Sequence, residues 1–326
     1  MNKICFFDAK PYDKINFDAL KEDFEIEIDY VEPKLGPKTA FMARDCEAVV
    51  AFVNDTIDQE TINLLTEYGI QLIAMRCAGY NNVDVKAALD KIHVVRVPAY
   101  SPYAVAEHAI SLLLTLNRKI HRAYIRTRDF NFSLIGLTGF DLHGKTMGVI
   151  GTGKIGRVFV DICNGFGLKV IAYDPCPAAD SGISYVTLEE LYRSSDIISL
   201  HCPLTRDTLH LINRNTIGLM KDGVYLINTS RGALINSEDL LEELKSGKIG
   251  GACLDVYEEE TELFYEDMSD TIVRDDVLAR IISMPNVIVT SHQAFLTQEA
   301  LYNIAETTLA NCRDFFDHKE LIHEVR

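Results

Sequence analysis

Long apolar runs are missing from this chain of 326 residues. A membrane-spanning helix needs roughly 18 consecutive apolar residues. The longest candidate, Ala109–Leu116, is interrupted at Thr115 and followed by Asn117. The opening Met-Asn-Lys-Ile-Cys-Phe-Phe-Asp meets an acid too early for the apolar core of a secretory signal, so none is expected. Positive charge is also short: 32 Lys and Arg stand against 48 Asp and Glu, a formal net charge of −16. Such a surface repels nucleic acid and anionic membranes, and no Lys/Arg stripe offsets it. A small anionic substrate is not excluded, because a few inward-facing cations can dominate a cleft. The 19 Gly and 9 Pro are too few, and the 48% of hydrophobic residues too many, for a disordered or collagen-like chain. Eight cysteines are present, without a Cys-x-x-Cys pair or regular spacing. They form neither a disulfide framework nor a zinc pattern. Several have apolar neighbours, as in Leu72-Ile-Ala-Met-Arg-Cys-Ala78, the setting of reduced core thiols, which points to the cytoplasm. A soluble globular protein remains, and at about 100–200 residues per domain it should have two.

Short Val/Ile-rich runs alternate with longer helical patterns throughout. In the first third, Ile4–Phe7, Ile26–Ile28, Ala48–Val53, Gln71–Met75 and Val94–Val97 read as strands, with amphipathic stretches at Gln59–Glu67 and Asp84–Lys91. Ser101-Pro102 then opens a long helix through Ala104–Leu116 towards Arg122, Ser as cap and Pro in the first turn. Its apolar residues continue too long for a surface helix, which suggests packing between layers or subunits. A second series follows at Met147–Ile150, Val170–Tyr173, Ile197–Leu200, Val224–Asn228, Ala252–Leu254 and Val287–Thr290. From Gln298 to Asp317 the pattern is helical again, with a stripe of Leu301, Ile304, Ala305, Thr308, Leu309 and Cys312. This alternation predicts an α/β protein with parallel sheets covered by helices on both faces. No repeat or low-complexity segment interrupts it. The domain change is expected near Tyr100 and the return near Gln298.

In open α/β sheets, ligands bind outside the carboxyl ends of the strands. Gly151-Thr152-Gly153-Lys154-Ile155-Gly156 follows the first strand of the second series, and Asp174 closes the next. Gly151 permits a tight turn, Gly153 lets backbone approach a pyrophosphate, and Gly156 lets helix pack on strand. The helix beyond offers free N–H groups to the anion. Lys154 is either a further charge there or a solvated lysine. Asp174 would accept from the ribose hydroxyls and repel a 2′-phosphate, favouring NAD over NADP. A tight turn without ligand is the alternative.

Later strands lead into His201-Cys202-Pro203, Thr229-Ser230-Arg231-Gly232, Asp255 with the acidic run Glu258-Glu259-Glu260, and Ser291-His292. A guanidinium such as Arg231 can hold a carboxylate through two parallel hydrogen bonds. An imidazole such as His292 titrates near neutrality and can exchange a proton. A carboxylate such as Glu260 can orient the ring and stabilise imidazolium. Taken singly, each has an ordinary alternative: a solvated loop arginine, a hydrogen-bonded core histidine, a solvated acidic face. His108 reads as a satisfied packing residue of the apolar helix, His201 as part of a backbone-shaping turn, and His143 as loop.

Together these blocks resemble the D-2-hydroxyacid dehydrogenases. The resemblance rests on Gly151–Gly156 with Asp174, Asn228-Thr-Ser-Arg-Gly-Ala-Leu-Ile235, Leu254-Asp-Val-Tyr-Glu258 and Ser291-His-Gln-Ala-Phe-Leu-Thr297. Met75-Arg-Cys-Ala-Gly-Tyr-Asn-Asn-Val-Asp84 and Val97-Pro-Ala-Tyr-Ser-Pro102 extend it to the amino-terminal third, so it covers essentially the whole chain. The His-Gln-Ala-Phe-Leu-Thr block and Ser199-Leu-His-Cys-Pro-Leu-Thr205 are most similar to members that interconvert pyruvate and D-lactate in fermenting bacteria. One departure is Ser291, where many members carry Pro and its fixed φ.

The resemblance implies two doubly wound parallel-sheet domains with a cleft between them. Residues 100–298 would be a Rossmann cofactor domain, and 1–99 with 299–326 a smaller flavodoxin-like substrate domain. It implies NAD as cofactor, no metal, a small 2-oxo or 2-hydroxy acid as substrate, and a homodimer or homotetramer, for which the helix through Ala104–Leu116 suits an interface. Arg231 would clamp the carboxylate, His292 would exchange the proton and Glu260 would support it, the family's glutamate standing five positions after the strand-end acid, here Asp255. Ala78 and Gly79 would lend N–H groups to the carboxylate, with Tyr100 and Phe295 as pocket walls. Thr208, Thr229, Ser230, Arg231 and Asp255 would line the cofactor, with Cys202 and Pro203 beside its adenine or ribose. The competing readings are a dehydrogenase for another D-2-hydroxy acid and a dinucleotide-sensing binding protein.

Overall fold

Apolar runs too short for helices become parallel strands when helices cover both of their faces. In the computed structural model, which describes residues 1–179, 181–259 and 264–325, this happens twice. The chain divides into one unit of Met1–Ser101 with Leu296–Arg326 and a second of Pro102–Phe295.

The first unit holds β1 (Asn2–Phe6), α1 (Pro11–Leu20), β2 (Ile26–Tyr30), β3 (Ala48–Ala51), α2 (Gln59–Glu67), β4 (Leu72–Met75), α3 (Val85–Ala88) and β5 (His93–Arg96). Its strands form one sheet in the order 2-1-3-4-5, every neighbouring pair parallel. All residues of β3 and β4 are buried, as a strand covered on both faces requires. Asp58 caps α2 by accepting the Thr61 N–H at 2.9 Å. The helix expected over Asp84–Lys91 shrinks to the single turn of α3. Leu89 leaves helical geometry at ψ 132° and Asp90 turns left-handed at φ +60°.

The second unit begins with α4 (Pro102–Asn117), which stops short of the expected Arg122. The buried Asn117 amide donates to the Phe140 carbonyl at 2.7 Å and accepts the Phe140 N–H at 2.8 Å. That pairing brings another segment against the helix end. Lys119 turns left-handed at φ +53° before α5 (Ile120–Arg128) starts. The apolar residues of α4 are core: Ala106, Ala109, Leu113 and Leu116 are wholly buried in a cluster with Val149 and Phe159. This is the expected packing between layers. The exposed apolar residues stand further on, at Tyr124, Ile125, Phe130, Phe132, Leu134 and Ile135.

Then come β6 (Thr146–Ile150), α6 (Lys154–Gly165), β7 (Lys169–Tyr173), β8 (Ser184–Tyr185), α7 (Leu188–Ser194) and β9 (Ile197–Leu200). After them come α8 (Arg214–Leu219), β10 (Val224–Asn228), α9 (Ser237–Ser246), β11 (Ile249–Leu254), α10 (Asp276–Ser283) and β12 (Val287–Val289). These strands form a second parallel sheet in the order 12-11-10-9-6-7-8. The order reverses between β6 and β9, the topological switch point of a Rossmann-type sheet. Finally α11 (Gln298–Phe316) rejoins the first unit, with Ala305, Leu309 and Cys312 buried in its core. Among the described residues, no helix is long and apolar enough to cross a membrane. All eight cysteines are free thiols; six are buried, Cys202 is half-buried and Cys176 exposed.

Candidate active site

The loop after β6 turns at Gly151, whose φ of +94° is a left-handed conformation that only glycine adopts cheaply. A Cβ there would lie 2.6 Å from the His201 carbonyl oxygen, and one on Gly156 would lie 2.1 Å from the Gly151 carbonyl oxygen. These two glycines are imposed by packing. Gly153 is different: its φ is −65°, and a Cβ would meet nothing within 4 Å. Neither conformation nor neighbours demand glycine, so the missing side chain serves an open approach over the start of α6. There the first-turn N–H groups lack helical acceptors. Lys154 is exposed at that end and Ile155 half-buried.

Asp174, at the end of β7, faces this loop. One carboxylate oxygen accepts the Thr152 N–H at 2.7 Å and the Thr152 hydroxyl at 3.1 Å; the other accepts the Cys176 N–H at 2.9 Å. Burial pushes the carboxyl pKa up, but the donors from Thr152 and Cys176 outweigh it and hold the value below the usual carboxylate range. The Thr152 hydroxyl is also 2.9 Å from the Tyr185 hydroxyl on β8. Neither Thr152 nor Tyr185 was singled out by sequence, because their value lies in a pairing that spacing does not reveal.

His201 ends β9 with Nε2 2.8 Å from the Ser199 hydroxyl, its ring against Phe159 and Nδ1 buried without a partner. Burial pushes this imidazole down to about 3, so it is neutral at working pH. The half-buried Cys202 thiol is pushed up to about 11, again by burial. Thr208 donates to the Pro203 carbonyl at 2.7 Å and accepts the Thr205 N–H at 2.7 Å, closing the loop beyond.

At the end of β10, the buried Asn228 amide donates to the Arg231 carbonyl at 2.8 Å and accepts the Ser230 N–H at 3.1 Å. The Ser230 hydroxyl donates to the Leu200 carbonyl at 3.0 Å. Arg231 is half-buried, and its guanidinium donates to the Ser230 carbonyl at 2.7 Å. Among the described residues, no carboxylate forms an ion pair with it. Gly232 is obligatory, since a Cβ would stand 2.0 Å from the Tyr257 carbonyl carbon. That contact presses the Arg231 loop onto the chain leaving β11. Glu258 there is committed, 2.5 Å from His210 Nε2 and accepting the Ser237 N–H at 3.2 Å. Glu260 lies outside the described residues.

Asp255 and His292 share one construction. The Asp255 carbonyl accepts the His292 N–H at 2.7 Å. The Asp255 carboxylate accepts the Thr290 hydroxyl at 2.6 Å and the N–H groups of Gln293 and Ala294, each at 2.9 Å. His292 has φ +54°, a left-handed conformation costing a non-glycine residue about 1–2 kcal/mol. Asp255 anchors the residues on either side and holds it there. The His292 ring lies 6.0 Å from that of Tyr265. Asp255 itself has no exposed surface. Its oxygens shape residues 290–294. His108, expected as a satisfied packing residue, finds its partners here, with Nε2 3.1 Å from the Thr290 hydroxyl and 3.3 Å from the Asp255 carboxylate.

Arg231, Asp255, His292 and the buried Phe295 therefore gather at strand ends of the second unit, alongside the glycine loop and Asp174. Ala78, Gly79 and Tyr100 belong to the first unit. Ala78 and Gly79 follow β4, where the Ala78 carbonyl accepts from Arg96 at 2.9 Å and the Gly79 carbonyl accepts from the Cys77 thiol at 3.2 Å. The Tyr100 carbonyl accepts from Asn303 at 2.7 Å.

A family model, D-isomer specific 2-hydroxyacid dehydrogenase, NAD binding domain, matches residues 110–294. The chain belongs to that family. A D-lactate dehydrogenase of Escherichia coli is 51% identical to this dehydrogenase over 313 residues, 95% of either chain. The solved apo structure of D-lactate dehydrogenase from Escherichia coli superposes with a TM-score of 0.91 at 48% identity, covering 99% of this chain and 100% of that one. A structure described as the pyruvate reductase of Chlamydomonas reinhardtii superposes at 0.93 with 43% identity, covering 99% and 98%. The dehydrogenase is thus an NAD-dependent oxidoreductase built from two parallel-sheet α/β domains. Two observations fit the cofactor to its NAD-binding domain: among the described residues, the space above Gly153 is open, and the buried Thr229 hydroxyl just after β10 has no partner.

Proposed function

We propose that this dehydrogenase interconverts pyruvate and D-lactate with NAD as cofactor. Two observations support the reading: Arg231 is a half-buried guanidinium without a carboxylate among the described residues, and the backbone of His292 is held by Asp255. Arg231 holds the substrate carboxylate through two parallel hydrogen bonds, and the Ala78 and Gly79 N–H groups add donors. When bound, the nicotinamide supplies or accepts the hydride. In the reducing direction, His292 gives a proton to the developing alkoxide; in the oxidising direction it takes one back. Glu260 favours the charged imidazolium. The bulk of Tyr100 and Phe295 suits a methyl group better than a branched or phosphorylated side chain. The name pyruvate reductase of the Chlamydomonas relative supports the same choice.

For the cofactor, Gly151, Gly153, Lys154, Ile155 and Gly156 receive the pyrophosphate at the start of α6. Asp174 takes the ribose hydroxyls, Cys202 and Pro203 flank the adenosine end, and Thr208, Thr229 and Ser230 line the remainder. Residues 100–298 act as the cofactor domain, and 1–99 with 299–326 as the substrate domain. The exposed apolar residues from Tyr124 to Ile135 support a homodimer or homotetramer, since a solvated monomer rarely shows so large a patch. Eight free thiols support a reducing, cytoplasmic setting, and pyruvate as the oxidant of NADH supports a fermentative role.

The test is NADH oxidation across a panel of 2-oxo acids, with chiral analysis of the product. Pyruvate should give the highest kcat/KM and D-lactate the product. Preference for a branched or phosphorylated acid would replace the substrate assignment. No turnover with any acid, despite NADH binding, would leave a dinucleotide-sensing protein.

A further inference from the structure

We infer that His108, on α4, is a positioning residue that fixes the loop carrying His292 by donating its Nε2–H to Thr290 and Asp255. This rests on the reading of His292 as the proton-exchanging group. A carboxylate only accepts, so the Thr290 hydroxyl, 2.6 Å from Asp255 Oδ1, donates to it. The hydroxyl proton is then committed, and the Thr290 oxygen has only lone pairs left for His108. The ring nitrogen 3.1 Å from that oxygen and 3.3 Å from Asp255 Oδ1 must therefore carry the proton. Asp255 thus collects donors from Thr290, Gln293, Ala294 and His108. Three of these sit in the loop itself; His108 alone comes from a packed helix.

That difference gives His108 its role. Residues 290–294 are held to Asp255 by short-range bonds, and His292 stands among them in a left-handed conformation that relaxes if its neighbours let go. The α4 helix is built into the core through Ala109 and Leu113, so a bond from it ties the loop to a rigid element. Burial pushes the Asp255 carboxyl pKa up, yet the His108 and Thr290 bonds bring it below the usual range, which keeps the acceptor charged. His108 acts through Asp255 and Thr290.

The experiment compares His108→Leu with His108→Gln in the full-length enzyme. Glutamine places an amide N–H at nearly the reach of Nε2; leucine keeps bulk and loses the donor. In His108→Leu, kcat for 2-oxo acid reduction should fall about tenfold to a hundredfold, the usual scale for a misplaced catalytic group. The dissociation constant for NADH should hold within about twofold, as expected when positioning alone is lost. The Gln293 and Ala294 amides should exchange with solvent faster. His108→Gln should recover most of kcat and of the protection. Wild-type kcat and exchange in His108→Leu would overturn the inference, and so would a glutamine variant as impaired as leucine. If His108→Leu does not fold, Thr290→Val takes its place: the same loss of kcat and protection upholds the network, and unchanged values refute it. A His292→Asn enzyme that still turned over would sink the acid–base reading by itself, while the amide exchange would still decide the role of His108.

Discussion

The backbone N–H of His292 donates to the carbonyl of Asp255 at 2.7 Å, tying the backbone of His292 to the residue that follows β11. Replacing Asp255 by Asn keeps the shape and exchanges one acceptor oxygen for an NH₂ group. The donors from Thr290 and Gln293 converge on one oxygen and that from Ala294 on the other, so either amide orientation leaves a buried donor facing a donor. Asp255→Asn should lose about 1–3 kcal/mol of stability. Turnover should also fall by about a hundredfold through misplacement of His292. Urea denaturation and steady-state rates check both, and wild-type values for either would show that the loop is held by other means.

Gly153 and Gly156 make opposite predictions from one motif. Gly153→Ala meets no neighbour and needs no unusual φ, so the variant should melt like the wild type. It should nonetheless bind NADH more weakly, because the methyl group occupies the approach to the helix start. Gly156→Ala drives a Cβ to 2.1 Å from the Gly151 carbonyl and should cost about 1–3 kcal/mol through overpacking. Thermal melts paired with NADH titration separate the two. Equal losses of stability would remove the argument that Gly153 is kept for a ligand.

Much of this site could be read before any coordinates. Strands such as Ile197–Leu200 and Val224–Asn228 and the helix Gln59–Glu67 stand at their expected bounds because burial on two faces or one leaves a clear apolar signature. Gly151 and Gly156 were legible because each answers a local steric constraint. Helix α8 escaped notice although Asn213 caps it, since its short polar turns bury only Ile217, whereas α9, capped by Asn236, did carry a signal in the buried stripe of Leu240, Leu241 and Leu244. The break after Asn117 escaped because its cause, the pairing with Phe140, lies 23 residues away. For the same reason the partners of His108 were hidden. Which carboxylate a helix histidine meets is set by how α4 lies across β11 and β12, and residue type says nothing of that.

Arg231 and His292 should fail in different kinetic constants. Arg231→Lys keeps the charge but not the planar fork, and should raise the KM for pyruvate nearly as much as Arg231→Ala does. His292→Ala should bind NADH normally and lose turnover by about 10²–10⁴-fold. Removing the Glu260 carboxylate should lower the upper pH limit of pyruvate reduction, because the imidazolium loses its support. A lysine variant with wild-type KM would end the clamp, and a superimposable pH profile would end the role of Glu260.

In the first unit, Asp55 makes a prediction about pH and stability. Its carboxylate accepts the N–H groups of Leu35 at 2.7 Å and Phe52 at 2.6 Å, and it lies near Arg76 and Asp8. Burial outweighs these bonds and raises its pKa to about 6. An acid whose folded value stands above its unfolded value, near 4, holds more protons when folded between those limits. Its contribution to stability is therefore fully present below about pH 4 and declines as pH rises towards 6, at up to about 1.4 kcal/mol per pH unit. Asp174 and Asp255 have depressed values and act in the opposite sense, their contributions being lost as pH falls below about 4. Asp55→Asn should thus be less stable than the wild type at pH 4, having lost an acceptor. It should close part of that gap by pH 7, where the wild type has a buried charge to bear. Unfolding free energies of the two proteins at intervals from pH 4 to 7 test this. A gap that stays constant over that range would mean the Asp55 carboxyl ionises at its ordinary pH in the folded chain.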